Sequence, residues 1–392
     1  MNNCRRIFLL SRRLPHLVGA LSLTVLCLLS IASMSSDYGD ADTSDPATAI
    51  PKGTEPLMDY WMRDTWITLG PDGIYYMTGT TSDPERVFSG QRHCWDWNDG
   101  IYLFRSDDMK NWSAMGRIWS LDSTVWQGQP HVFGLGERRP SVSLNGDTLD
   151  NFYRAVWAPE LHYIKSKKCW YIVACMNDSQ AGKGSFVLKS TTGRPEGPYE
   201  NIADNSSGPL FGNIDGSLFE DEDGTVYFVG HNHFIARMKD DMSGLAEPLR
   251  RLSEEAYSPE PYIEGAFICK EGGKYHLVQA IWSHRVPGKG DTYSPQHDSN
   301  STRYSYDCIV ASADCVYGPY SRRYNTITGG GHNNLFKDKR GEWWATLFFN
   351  PRGAQAGEYR QTCRPGAVPM AFRNGKFMID TTRTAIQDMK EK

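Results

Sequence analysis

The sequence predicts an all-β protein, a five-bladed β-propeller, on three observations. A hairpin-sized unit recurs five times, and each copy carries a titratable residue at the same place on its first strand. No long helical periodicity interrupts residues 50–375. The clearest copy is GNIDGSLFEDEDGTVYFVG, Gly212 to Gly230. There Asp215 lies in a short strand, an acidic turn ends at Gly224, and the β-branched and aromatic run Val226–Val229 returns. In the other copies Asp64 is followed by Tyr75 after 11 residues, Glu160 by Trp170 after 10, Glu264 by Tyr275 after 11 and His332 by Trp343 after 11. Unequal intervals between copies suit blades with variable loops better than a solenoid.

In chain order, blade one is expected from Arg63 to Trp119, with Gly100–Phe104 as its third strand and Ser106–Trp112 as a closing turn. The stretch Gln127–Asn151, with its Gly, Pro and Asn, reads as a surface loop. Blade two takes Trp157–Glu160, Cys169–Ala174 and Ser185–Lys189. Blade three adds Phe234–Met238 to the opening unit. Blade four takes Ile263–Ala266, Tyr275–Ala280 and Cys308–Ala311, with a polar insertion at His284–Tyr306. Blade five takes Gly331–Phe336 and Trp343–Phe349, and Arg364–Phe372 returns to complete or close a blade. Gly197-Pro-Tyr199 and Gly318-Pro-Tyr320 hold the same place in blades two and four, and each reads as a turn with a packed tyrosine.

Composition agrees with short strands and many turns: 12% aromatic, 37 Gly and 21 Pro, but only 22% charged in 392 residues. Residues 1–35 read as a signal peptide, with Arg5–Arg13 basic, Leu17–Ile31 apolar and small residues following. Residues 36–55 then form a polar tail and residues 56–380 the propeller. The net charge is −4, and the first 35 residues hold four arginines and no acid, so the remainder carries about −8. That balance excludes nucleic acid and, after signal cleavage, an anionic membrane as partners. The expected location is secreted or periplasmic. Seven cysteines follow the signal at irregular spacing, which is no disulfide framework; Cys169, Cys175 and Cys269 fall in strands as small core residues.

If each first strand is the innermost of its blade, Asp64, Glu160, Asp215, Glu264 and His332 meet at one end of the central channel. A single acid in such a place is ordinarily a solvated surface residue; five in one frame are not. Like charges in a partly dry cavity push pKa values apart. One protonated and one ionised carboxyl group are the equipment for glycoside hydrolysis. Arg63 precedes Asp64, and strand alternation would turn its side chain to the other face. The loop aromatics Trp66, His93, Trp95, Trp97, Trp126 and Trp282 could stack on sugar rings or simply pack. Of these, Trp66, Trp95 and Trp282, together with Glu160 and Arg285, are the substrate-binding candidates.

The ordered set Arg63-Asp64, Trp157-Ala-Pro-Glu160, Ile214-Asp215-Gly-Ser, Glu264-Gly265 and Gly331-His332 resembles glycoside hydrolase family 43 over roughly residues 60–372. The resemblance implies hydrolysis of oligosaccharides or polysaccharides with inversion. Asp64 matches the general base, Asp215 the acid that tunes and orients the proton donor, and Glu264 the general acid. His332 matches the axial histidine that in many members helps hold a cation, often calcium, through water. Glu160 stands where the family more often has Asp. Arabinofuranosides, xylosides and galactosides are the implied substrates. Two other readings remain: a retaining five-bladed glycosidase of the fructan type, and a carbohydrate-binding propeller without turnover. The first would carry an Asp-Pro-Asn run that is missing here, and the second would have lost one of the three acids.

Overall fold

Alternating hydrophobic strands separated by tight turns can bury both faces only by stacking sheet on sheet, and a ring of blades does this without leaving long open edges. The computed structural model describes residues 51, 53–82, 98, 100–121, 138–142, 148–152, 155–176, 184–231, 233–252, 263–286, 290–292, 303–349 and 363–383. Within them the chain forms five antiparallel blades, each built on a path of four strands, which in blades one to four follow sequence order. Blade one is Arg63–Leu69, Tyr75–Thr80, Gly100–Ser106 and Ser113–Ser120. Blade two is Val156–Ile164, Cys169–Met176, Gly184–Ser190 and Tyr199–Asn201. Blade three is Gly216–Glu220, Val226–Gly230, Phe234–Arg237 and Arg250–Arg251. Blade four is Ile263–Glu271, Lys274–Val286, Arg303–Ala313 and Tyr324–Ile327, with Gly290–Thr292 added to its second strand.

Blade five is assembled from both ends of the chain. Leu335–Lys337, Trp343–Phe349 and Arg364–Arg373 form its first three strands, and Glu55–Pro56 forms the fourth. Glu55 pairs with Ala367 and Pro56 with Gly366, and the Leu57 N–H donates to Pro365 O at 3.0 Å. The expected return of the C-terminal segment is therefore present as a third strand. The tail expected to run through residue 55 in fact ends in the strand that closes the ring. A two-residue edge strand is too short to show any alternation, which is why the sequence conceals it.

Two further expectations are corrected. The expected surface loop at 127–151 contains a hairpin, Arg138–Val142 paired with Thr148–Phe152. The Asn145-Gly146 dipeptide between these strands is a hairpin signal that the loop reading passed over. In blade four the insertion at 284–306 begins and ends as regular sheet, with His284 opposite Tyr304 and Trp282 opposite Tyr306. Polar residues on a hairpin that extends past its blade have no core face to mark them as strand. The signal peptide and most of the tail lie outside the described residues.

Among the described residues the main core comprises five hydrophobic layers, one between each pair of neighbouring blades. Between blades one and two, for example, Ile101, Leu103 and Trp119 meet Leu161, Trp170, Ile172 and Phe186, all buried. The two Gly-Pro-Tyr turns behave alike: Tyr199 donates to Pro195 O at 2.8 Å and Tyr320 to Val316 O at 2.9 Å, both rings buried. Cys169, Cys175, Cys269, Cys308, Cys315 and Cys363 are free thiols, and all but Cys269 and Cys315 are buried.

A chain beginning at residue 37 is expected to fold with an unchanged thermal midpoint. One beginning at residue 63 loses the closing strand with buried Leu57, Tyr60, Trp61 and Met62. At about 1.5–3 kcal/mol for each large apolar side chain, that loss rivals the whole margin of roughly 5–15 kcal/mol typical of folded proteins. Circular dichroism melting of the two truncations should separate a normal transition from a lost one.

Candidate active site

Each blade begins its innermost strand with one residue in the left-handed backbone region: Asp64 (φ 52°), Ala158 (46°), Asp215 (59°), Gly265 (61°) and His332 (47°). For a non-glycine residue this conformation costs roughly 1–2 kcal/mol, so its repetition in all five blades marks a structural requirement. In blades one, two and four the strand pairing slips at this point, between Arg63 and Trp66, between Trp157 and Glu160, and between Glu264 and Phe267. Such a bulge re-aims the side chain that carries it. The single frame expected for the five titratable residues is corrected accordingly. Asp64, Asp215 and His332 occupy the left-handed position, Glu160 lies two residues beyond Ala158, and Glu264 lies one residue before Gly265. A count of residues between strands cannot see a bulge.

The left-handed residues tie the blades together around the channel. Thr80, at the end of the second strand of blade one, donates its hydroxyl to Asp64 Oδ2 at 2.6 Å and accepts the Ala158 N–H at 2.8 Å. The Cys175 thiol approaches Asp215 Oδ1 at 3.6 Å, and the Gly265 N–H donates to Asp215 Oδ2 at 3.1 Å. A Cβ at Gly265 would lie 3.0 Å from the His332 ring, so this position needs glycine for space as well as for φ. The Gly331 N–H donates to Tyr306 O at 2.8 Å. The Asn334 side chain accepts the Ile67 N–H at 3.1 Å and donates to Ile67 O at 2.8 Å, joining blade five to blade one.

Within this ring His332 Nδ1 lies 3.3 Å from Asp64 Oδ1, and that oxygen has no hydrogen-bond donor among the described residues. The Tyr306 hydroxyl donates to Glu264 Oε1 at 2.7 Å. Asp64, Asp215, Glu264 and His332 are all less than one-tenth exposed. Burial raises the Glu264 pKa, and the charge of Asp215 raises it further, against the pull of Tyr306, His332 and Arg63. Asp215 is also raised by burial, although His332 opposes the shift. Burial works against a charged His332, but Asp64, Asp215 and Glu264 together outweigh it and raise its pKa. Arg63, expected to face away, is buried over the Phe348 ring at 4.6 Å, and its charge reaches Glu264 and His332. The bulge at Asp64 breaks the alternation on which that expectation rested.

Glu160 belongs to a different contact. Its Oε2 lies 2.8 Å from His162 Nε2, and burial favours the uncharged form of both groups, raising the Glu160 pKa well above its ordinary value, with help from the charge of Asp215, and lowering that of His162 to about 3. Both shifts favour a carboxylic acid hydrogen-bonded to a neutral imidazole. Trp66 is corrected from a loop aromatic to a packed one. It is buried in an inner strand, 4.9 Å from the His162 ring and 5.4 Å from Phe267 between centroids. Trp95, with His93, Trp97 and Trp126, lies outside the described residues. Trp282 and Arg285 lie on the second strand of blade four, but their side chains are outside the described set.

Among the described residues no three His, Cys, Asp or Glu side chains form a cage for a metal ion. Calcium takes about six to eight oxygen ligands, so direct ligation does not fit this donor set. Thr80, Tyr306 and His162 were not foreseen. Thr80 could have been found as the strand residue opposite Arg63, whereas Tyr306 sits in the stretch read as insertion.

A ring of buried carboxyl groups at the mouth of a propeller, one beside a cation and another held by a phenol, is the arrangement of a glycoside hydrolase. The chain matches the Glycosyl hydrolases family 43 profile over residues 54–377 and belongs to that family. It is 26% identical over 308 residues to the β-D-galactofuranosidase xynD of Aspergillus niger, covering 73% of this chain and 78% of that one. The solved endo-1,4-β-xylanase of Bacteroides thetaiotaomicron superposes with a TM-score of 0.55 at 22% identity, covering 83% of this chain and 97% of that one. The endo-arabinase of the same organism gives 0.55 at 17% identity, covering 82% and 98%. These two likenesses establish the shared propeller fold.

Replacing Thr80 by Val is expected to free Asp64 Oδ2 and strand the buried Ala158 N–H. The protein should lose about 1–3 kcal/mol in denaturant titration and most of its activity, while Thr80→Ser keeps both. For Glu160 the sign follows from its raised folded pKa: its stabilising effect is complete below the unfolded value of 4.5 and is lost as pH rises through the folded one. Glu160→Gln should therefore gain stability relative to the parent as pH is raised from the unfolded value of 4.5 through the higher folded one. Parallel denaturant midpoints across that range would reveal a constant gap if the reading is wrong.

Proposed function

We propose that this family 43 enzyme hydrolyses arabinofuranosides, xylosides or galactosides of plant- or algal-type oligosaccharides or polysaccharides with inversion of configuration. The observation that carries the reading is that Asp64, whose Oδ1 has no hydrogen-bond donor among the described residues, and Glu264, whose pKa is raised, both act on the buried His332. In this scheme Asp64 takes a proton from a water that attacks the anomeric carbon. Glu264 gives its proton to the glycosidic oxygen, and the C–O bond breaks with its electron pair leaving on that oxygen. Asp215 raises the Glu264 pKa and is itself oriented by the Gly265 N–H. His332 places positive charge beside Asp64. A calcium ion, held through water near His332, would add charge there; no step passes through it. The galactofuranosidase activity in the name of the Aspergillus niger relative supports including that sugar. The basic and apolar first 35 residues support export, to a secreted or periplasmic location, and the negative remainder supports a partner other than nucleic acid or membrane.

The experiment is a panel of para-nitrophenyl and methyl glycosides of α-L-arabinofuranose, β-D-xylose and β-D-galactofuranose, with the first product followed by proton NMR. The inverted anomer is expected; the retained anomer would favour the fructan-type alternative. Glu264→Ala should lower the rate on methyl glycosides by about a hundredfold to ten-thousandfold while sparing nitrophenyl glycosides, whose leaving group needs no proton. Asp64→Ala should abolish both. Equal losses on both substrates in both variants would contradict this division of labour.

A further inference from the structure

Tyr306 touches the site in two ways that the scheme above does not use. Its phenol donates to Glu264 Oε1 at 2.7 Å, and its main-chain carbonyl accepts the N–H of Gly331, the residue before His332. The ring is buried, packs against the Gly331 backbone and lies 6.0 Å from Phe348. It stands on the third strand of blade four, directly opposite Trp282. The next residue, Asp307, is also buried and accepts the Gly329 N–H at 2.9 Å and the Asn325 side chain at 3.1 Å. One strand segment thus anchors the loop that leads to His332 and holds the Glu264 carboxyl.

We propose that Tyr306 is a positioning residue for proton transfer: by donating to Oε1 it leaves Oε2 as the oxygen that carries and delivers the proton. This rests on reading Glu264 as the proton donor. A protonated carboxyl accepts best at its carbonyl oxygen, so a fixed donor at Oε1 selects which oxygen bears hydrogen. When the Oε2–H bond breaks, the proton goes to the glycosidic oxygen and the C–O electron pair leaves with it. The carboxylate left behind carries charge on both oxygens, and the phenol bond becomes charge-assisted and stronger. The bond is therefore worth more after transfer than before it, which favours the transition state. The other groups that face Glu264 divide by sign. Asp215 opposes its ionisation, while His332 and Arg63 support it from blades five and one.

The test is Tyr306→Phe, which removes the hydroxyl and keeps the ring and the main-chain bond to Gly331. With the methyl glycosides of the three sugars above, the variant is expected to lose about tenfold or more in kcat. The alkaline limb of its kcat/KM profile should move up by about one pH unit, because Glu264 has lost a donor that favoured its ionised form. Rates on para-nitrophenyl glycosides and the thermal midpoint should change little, showing that the protein is folded and Asp64 intact. An unmoved alkaline limb with an unchanged methyl-glycoside rate, while Glu264→Ala still separates the two substrate types, overturns the role of Tyr306 alone. If Glu264→Ala fails to separate them, the reading of Glu264 itself has failed. Equal losses on both substrate types in Tyr306→Phe would make the residue structural and also overturn the proposal.

Discussion

The left-handed turn at the head of each inner strand is the constraint on which the site depends. It aims Asp64, Asp215 and His332 while their neighbours continue into sheet. Four of the five turns sit on residues other than glycine, so the fold carries several kcal/mol of local strain at one end of the channel. The bonds between blades offset it: Thr80 between blades one and two, Asp215 between three and four, Tyr306 and Gly331 between four and five, Asn334 between five and one. Strain and its compensation occupy the same place. A change at any of these linking residues therefore reaches the acids, even where it touches none of them.

Three carboxyl groups crowded into a dry space would repel one another strongly without cations, and His332 and Arg63 are buried among them. The balance is uneven by position. His332 stands beside Asp64, whereas Glu264 has Asp215 and burial pressing it toward the protonated form. Burial and the charge of Asp215 press Glu160 toward its protonated form, beside His162 at 2.8 Å, which leaves less charge for the cations to neutralise. Neutralising a fourth acid locally is cheaper than importing another buried cation, given the desolvation each buried charge carries.

The blades were legible in the amino-acid order because each inner hairpin repeats a strong pattern of turn residues between apolar runs, as at Gly212–Gly230. The acids were legible because a charged residue inside such a pattern contradicts the core around it. What stayed hidden had no local signature. The offsets of Glu160 and Glu264 come from bulges, which alter register without altering composition. Trp66 looked like a sugar platform because an aromatic side chain reads the same on a core strand as on a binding loop. Tyr306 and Thr80 matter through partners 42 and 16 residues away, a proximity that strand pairing within blades four and one creates.

That ring is sealed late. The strand at Glu55–Pro56 must pair with residues 366 and 367, which leave the ribosome roughly three hundred residues afterwards. Until then four blades can stack, but the segment Glu55–Pro56 has no strand to pair with. Bringing such distant segments together is slow, because the chain between them must be ordered before the contact rewards it. The seam thus makes a demand of its own on the chain, that its two ends meet, apart from the channel where the acids lie.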